Sequence, residues 1–113
     1  MEVEKKSEGL FTILLLKGRF DAHEIEPVTT WVKDQLDIGN THLIINLEGV
    51  NFIDSTALST LVQGLKRARE KGGDLRLCCF QQPVRVIFEL TRLDKAFGIY
   101  PTEEAARASY ATE

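Results

Sequence analysis

Cysteine is scarce in this chain. Only Cys78 and Cys79 occur among 113 residues, and they are neighbours. Adjacent residues on a strand point to opposite faces, and a disulfide between them is strained. The expectation is two reduced thiols, buried as small hydrophobes, in a cytosolic protein. Positive charge is not in excess either. Lys and Arg number 14 against 17 Asp and Glu, a net charge of −3, which excludes a general affinity for nucleic acid, whose phosphates demand a basic surface. Long apolar runs are also missing. The longest, Leu10 to Leu16, is interrupted by Thr12 and is far too short to span a bilayer. The opening MEVEKKSEGL lacks a positive stretch followed by an apolar run, so no secretory signal is expected.

Catalytic vocabulary is thin. The histidines are His23 and His42, and His42 opens a strand at the edge opposite the loops considered below. Ser55 sits in D-S-T-A rather than in a G-x-S-x-G elbow. Neither cysteine has a partner at metal-ligand spacing. Gly72 and Gly73 stand at a helix end, not at a helix start where they would cradle phosphate. No motif asks for a cofactor or metal, and catalysis is not expected. A phospho-accepting aspartate fares no better. Receiver domains of response regulators share the α/β alternation and an acidic residue placed like Asp54. Their chemistry also needs an early acidic pair for magnesium and a lysine after the last strand. Here Asp21 stands alone, and the last strand ends in Tyr100-Pro101.

What is present suits one ordinary soluble domain over residues 1–113, with 43% hydrophobic and 27% charged residues. FTILLLKG (11–18) reads as a buried strand stopping at Gly18, with residues 2–6 a weaker partner. From Ala22 to Ile38, the spacing of Ile25, Val28, Val32 and Leu36 predicts a helix, with Pro27 in its first turn and Trp31 half-buried. HLIINL (42–47) is a second buried strand, ended by a turn at Glu48-Gly49. Leu58, Leu61, Val62, Leu65 and Ala68 form the apolar stripe of a helix that stops at Gly72-Gly73. DLRLCCF (74–80) is a strand, and Gln82-Pro83 starts a helix with Val86, Ile87, Leu90 and Leu93 buried. A short strand spans 98–100, and a last helix starts near Thr102, the expected N-cap. The order β-β-α-β-α-β-α-β-α implies an α/β domain. Its mixed four- to five-stranded sheet begins with an antiparallel pair, continues in parallel through right-handed crossovers, and packs with about four helices.

In such a sheet, functional groups gather beyond the carboxyl ends of the parallel strands. The loops after Gly18, after Ile53 and after Phe80 share that edge, which can make Asp21 and Ser55 neighbours. Between strand and helix lies FIDSTALSTL (52–61). Two readings of its hydroxyls stand open: they cap the helix, or one of them is the working group. The face that follows, with Thr56, Ser59, Thr60, Gln63 and Gly64, is small and uncharged for two turns, where a surface helix usually carries charge. Gly64 either admits a close partner or packs inside the domain.

The run N-L-E-G-V-N-F-I-D-S-T-A-L (46–58), followed by the helix ending K-G-G (71–73), resembles the signature of STAS-domain anti-sigma factor antagonists. The resemblance covers nearly the whole chain: Gly18-Arg19-Phe20-Asp21 is similar to the family's G-x-L-D, Pro83 to Leu93 to its third helix, and Phe97 to Ala106 to its F-x-I-Y-x-T-x-x-E-A tail. It implies a single STAS domain and a non-enzymatic, cytoplasmic binding module, with Ser55 as the phosphorylated serine after the motif aspartate, Asp54. The implied partner is both anti-sigma factor and serine kinase. It is bound by the unphosphorylated form, which frees the sigma factor, and a PP2C-type phosphatase resets the switch. Asp54 would shape the loop, Thr56, Ser59, Thr60 and Gln63 would form the contact face, and Asp21 would line the site. STAS domains also serve as accessory subunits of membrane transport complexes or as scaffolds in signalling assemblies, a second reading in which Ser55 only caps or contacts. The chain departs from the family at Ala57 and Arg92, where glycine is usual.

Overall fold

Strand pairing follows the apolar segments. In the computed structural model, which describes residues 1–111, β1 (Glu2–Glu8) and β2 (Phe11–Phe20) form an antiparallel hairpin. Then come α1 (Glu26–Asp37), β3 (His42–Ile53), α2 (Ser55–Glu70), β4 (Asp74–Cys78) and α3 (Gln82–Leu90). A 3₁₀ turn (Leu93–Lys95), β5 (Ile99–Tyr100) and α4 (Glu103–Ala111) complete the chain. The sheet order is β1-β2-β3-β4-β5, with every pair after the hairpin parallel. Each crossover steps one strand in the same direction. Right-handed connections then put α1, α2 and α3 on one face of the sheet.

The packing agrees. Leu14, Leu16, Leu43, Ile45, Leu75 and Leu77 meet Val28, Trp31, Val32, Leu61, Leu65 and Phe88 in one core. The alternate residues Ile13, Ile44 and Cys78 meet Ala106 and Tyr110 of α4 on the other face. Trp31 is buried, not half-buried, and Cys79 is half-buried, not buried. Thr102 caps α4 as expected, its Oγ1 accepting from the Ala105 amide at 3.0 Å.

Several boundaries differ from expectation, each for a local reason. β2 runs past Gly18, whose φ of +111° fits an irregular stretch of the pairing with β3. β3 continues straight through Glu48-Gly49, so no turn forms there. Gly49 is needed because a Cβ would lie 2.8 Å from the Leu16 carbonyl oxygen and 2.9 Å from Lys17 Cα, where β3 carries an extra residue against β2. Residues 21–25 form a turn, and α1 starts only at Glu26, with Pro27 in its first turn. β4 stops at Cys78, since Cys79 takes φ +66° and sends Phe80 against Phe88, ring centroids 4.6 Å apart. α3 buries Val84 and Phe88 and exposes Val86 and Leu90, the latter 76% accessible. Phe88, held between Phe80 and Phe97, sets that rotation. α3 ends at Leu90, and Arg92, expected near the helix end, adopts the left-handed φ of +64°.

Candidate functional site

The site is assembled by the β2–β3 register. Phe20 pairs with Ile53, so the chain leaving β2 runs beside the chain leaving β3. Asp54 ties the two together. Its amide donates to the Phe20 carbonyl at 3.3 Å. Its carboxylate accepts from the Ala57 amide at 2.9 Å through Oδ1 and from the Ala22 amide at 3.0 Å through Oδ2. With φ −105° and ψ 178°, it is the N-cap of α2. The Ala57 amide is the main cause holding this carboxyl below the usual carboxylate range. The Ala22 and Thr56 amides and the Arg19 charge act the same way, against some desolvation.

The cap of α2 is therefore Asp54 and not one of the hydroxyls. Ser55 is the first residue of the helix and is exposed. No group among the described residues takes its hydroxyl. Thr56, Ser59 and Gln63 follow on the exposed side of α2, with Thr60 half-buried among them. The Thr60 hydroxyl is committed to the Thr56 carbonyl at 3.0 Å. With Thr29 and Val32 of α1 and with Gly64 and Arg67, these four line a groove of about 210 Å³. Ser59 and Gln63 also border a second hollow of about 270 Å³, shared with Leu58, Val62 and Leu93. They form a ridge between two grooves. Gly64 is buried inside the domain, where a Cβ would meet Val32 and Leu75 at 3.5 and 3.6 Å. Those are ordinary contacts, so internal packing leaves room for a methyl at this position.

Asp21 sits in the adjoining turn, where its Oδ1 accepts from the His23 amide at 3.0 Å and its Oδ2 lies 3.5 Å from Arg19 Nε. Its loop is fastened to Asp54 through Ala22. Asp21 itself bonds within the loop, not to Ser55, among the described residues. The third loop joins this edge through Gln81, whose Nε2 donates to the Glu48 carbonyl at 2.5 Å. Two neighbours escaped the sequence reading. Arg19 lies with Cζ 3.8 Å from the centroid of the half-exposed Phe52 ring, and α1 supplies a wall of the groove. Only the register Arg19↔Phe52 reveals the first.

A hollow of about 820 Å³ lies on the open sheet face against Glu2, Glu4, Leu15, Lys17, Asn46 and Glu48. It holds none of the candidate residues, and its size comes from α4 covering only part of that face. No group of three or more His, Cys, Asp or Glu able to hold a metal occurs among the described residues. Both cysteines are free, and burial pushes both thiols up from their ordinary value. No helix among the described residues is long and apolar enough to cross a membrane.

The arrangement defines a class: a small α/β module with three helices on one sheet face, one on the other, and a capped helix start at the carboxyl edge. The STAS domain family model matches residues 2–106, and the chain belongs to that family. It is 24% identical over 104 residues to the anti-sigma F factor antagonist of Paenibacillus polymyxa, covering 91% of this chain and 89% of that one. TM1081 of Thermotoga maritima superimposes with a TM-score of 0.88 at 27% identity, covering 95% of this chain and 92% of its own. The Bacillus cell fate determinant SpoIIAA, solved in its phosphorylated form, shares the fold with a TM-score of 0.77 at 20% identity, covering 96% and 99%.

Proposed function

We propose that this chain is an anti-sigma factor antagonist switched at Ser55. The unphosphorylated form binds a partner that is both anti-sigma factor and serine kinase, and so frees the sigma factor. Phosphorylation of Ser55 ends that binding, and a PP2C-type phosphatase restores it. The observation that carries this reading is the division of roles at the helix start: Asp54 caps α2, leaving the Ser55 hydroxyl exposed at the head of the uncharged stripe Thr56, Ser59, Thr60 and Gln63. The family membership and the name carried by the Paenibacillus relative support the choice of partner.

The physical logic is electrostatic. A phosphate brings about −1.5 to −2 charges to a helix start whose Thr56 and Ala57 amides are already engaged by the Asp54 carboxylate. The fold survives, because Ser55 holds nothing together. A docked partner, however, must desolvate that dianion beside an ionised Asp54, at a cost of several kcal/mol, enough to abolish a micromolar complex.

The test is to incubate the protein with a purified kinase-type anti-sigma factor and ATP. Phosphate is then mapped by mass spectrometry, and binding of the wild type, Ser55→Ala and Ser55→Asp is compared by calorimetry. Modification at Ser55, binding by Ser55→Ala and loss of binding by Ser55→Asp are expected. Equal binding by all three forms, with no phosphate at Ser55, refutes the switch. Retention of transporter or scaffold proteins by every form would instead support an accessory-subunit role.

A further inference from the structure

Arg19 and Phe52 occupy facing positions on β2 and β3, one pair before Phe20 and Ile53. Their side chains stack, with the guanidinium carbon 3.8 Å from the ring centroid. Stacking on an aromatic face uses the plane of the guanidinium and leaves its edges for hydrogen bonding. One edge is partly used, since Nε lies 3.5 Å from Asp21 Oδ2. Neither terminal nitrogen has a partner among the described residues. The Arg19 side chain is 63% exposed, and Ser55 lies three residues beyond the ring that supports it.

The charges around this point are unbalanced. Asp54 and Asp21 are both acidic, and Asp54 already holds the Ala22 and Ala57 amides. A phosphate on Ser55 therefore finds the Ala57 amide of the helix start already taken. His23 stands exposed in the adjoining turn with Glu24 beside it, and Glu24 is engaged by the amino terminus at 2.9 Å. The exposed face of α2 offers no charge before Lys66.

We propose that Arg19 is a specificity-determining residue of the Ser55 switch: its free guanidinium edge pairs with the phosphoserine within the same chain, with Phe52 as the platform that keeps it at the site. This rests on the reading of Ser55 as the modified residue and deepens it. The pairing is a two-point contact of the kind guanidinium makes with phosphate. It moves no atoms between groups, and it places the Arg19 cation on the phosphate instead of leaving it open to a partner.

The test is built so that its failure is separate from failure of the switch itself. Phosphoserine is installed at position 55 during translation, without any kinase, in the otherwise wild-type chain and in Arg19→Gln and His23→Gln backgrounds. The second ionisation of the phosphate, near pH 6 when unpaired, is followed by ³¹P NMR at low salt. The phosphate of the wild-type background is expected to titrate about half a pH unit below that of Arg19→Gln, a roughly threefold change in dissociation constant for an exposed pair. His23→Gln should match wild type, and added salt should shrink the difference. Identical titration with and without Arg19 overturns the pairing, as does a shift caused by His23→Gln alone. Neither outcome depends on whether a kinase modifies Ser55.

Discussion

Gly64 and Gly49 make one substitution into two opposite experiments. At Gly64, a Cβ would meet Val32 Cγ2 at 3.5 Å, Leu75 Cδ2 at 3.6 Å and Val32 Cγ1 at 3.8 Å, all ordinary contacts. Nothing has to move. Alanine in a helix interior gains about 0.8–1 kcal/mol over glycine, and a buried methyl adds up to about 0.8 kcal/mol. Gly64→Ala should therefore stabilise the domain by about 1–1.5 kcal/mol. At Gly49, the same methyl would lie 2.8 Å from the Leu16 carbonyl oxygen and 2.9 Å from Lys17 Cα. Those are backbone atoms in a paired strand, and they yield only by shifting β2 against β3. Gly49→Ala should cost about 1–3 kcal/mol.

Thermal unfolding by circular dichroism reads both. With about 4 °C per kcal/mol for a domain of this size, Gly64→Ala should melt about 4–6 °C higher and Gly49→Ala about 4–12 °C lower. Urea midpoints should move the same way with unchanged slopes. A neutral Gly49→Ala would refute the bulged register that brings Leu16 over Gly49. A destabilised Gly64→Ala would refute the spacing of α1, α2 and β4 on which the groove depends. Gly64 also lines that groove, so a stabilised variant that binds its partner less well would place the partner in the groove.

Three further outcomes follow from local geometry. Arg92→Gly should stabilise by about 0.5–1 kcal/mol in a urea titration, because Arg92 holds φ +64°, a conformation costly for any residue with a Cβ. Ser55→Ala should leave the melting temperature within about 2 °C of wild type, since surface positions without partners contribute within about 0.5 kcal/mol, while removing the phosphate acceptor. Asp54→Asn should keep the cap to Ala57 but turn an amide donor toward the Ala22 N–H, lowering stability at neutral pH. Because the Asp54 carboxyl is depressed below its ordinary 3.8, its contribution is present above that value and lost as pH falls through the folded one. The gap between wild type and Asp54→Asn should therefore close on acidification below about pH 5. A gap that persists to pH 2 would assign the effect to shape rather than charge.

The order of elements was legible because periodicity reports burial. Val28, Val32 and Leu36 mark α1, and alternating faces mark β2 and β3. What failed was set by partners distant in sequence. Glu48-Gly49 looks like a turn until β3 is known to bulge there against β2. Val86 and Leu90 look buried until Phe88 is found clasped by Phe80 and Phe97. The site divides along the same line. Ser55, Asp54 and the uncharged stripe could be read from one segment. The Asp54–Ala22 bridge and the Arg19–Phe52 stack needed the register of two strands about 33 residues apart.

That division bears on why the motif places an aspartate before a serine. A serine at the N-cap would spend its oxygen on the first free amides of the helix, and modifying it would cost the fold its cap. Moving the cap to Asp54 frees the next hydroxyl from any structural duty, and the second oxygen of the same carboxylate fastens the neighbouring loop. The cap therefore does not depend on the state of the Ser55 hydroxyl. Under the proposed function, a switch at Ser55 would act on what can dock at the surface, while the sheet, the core and the groove stay as they are.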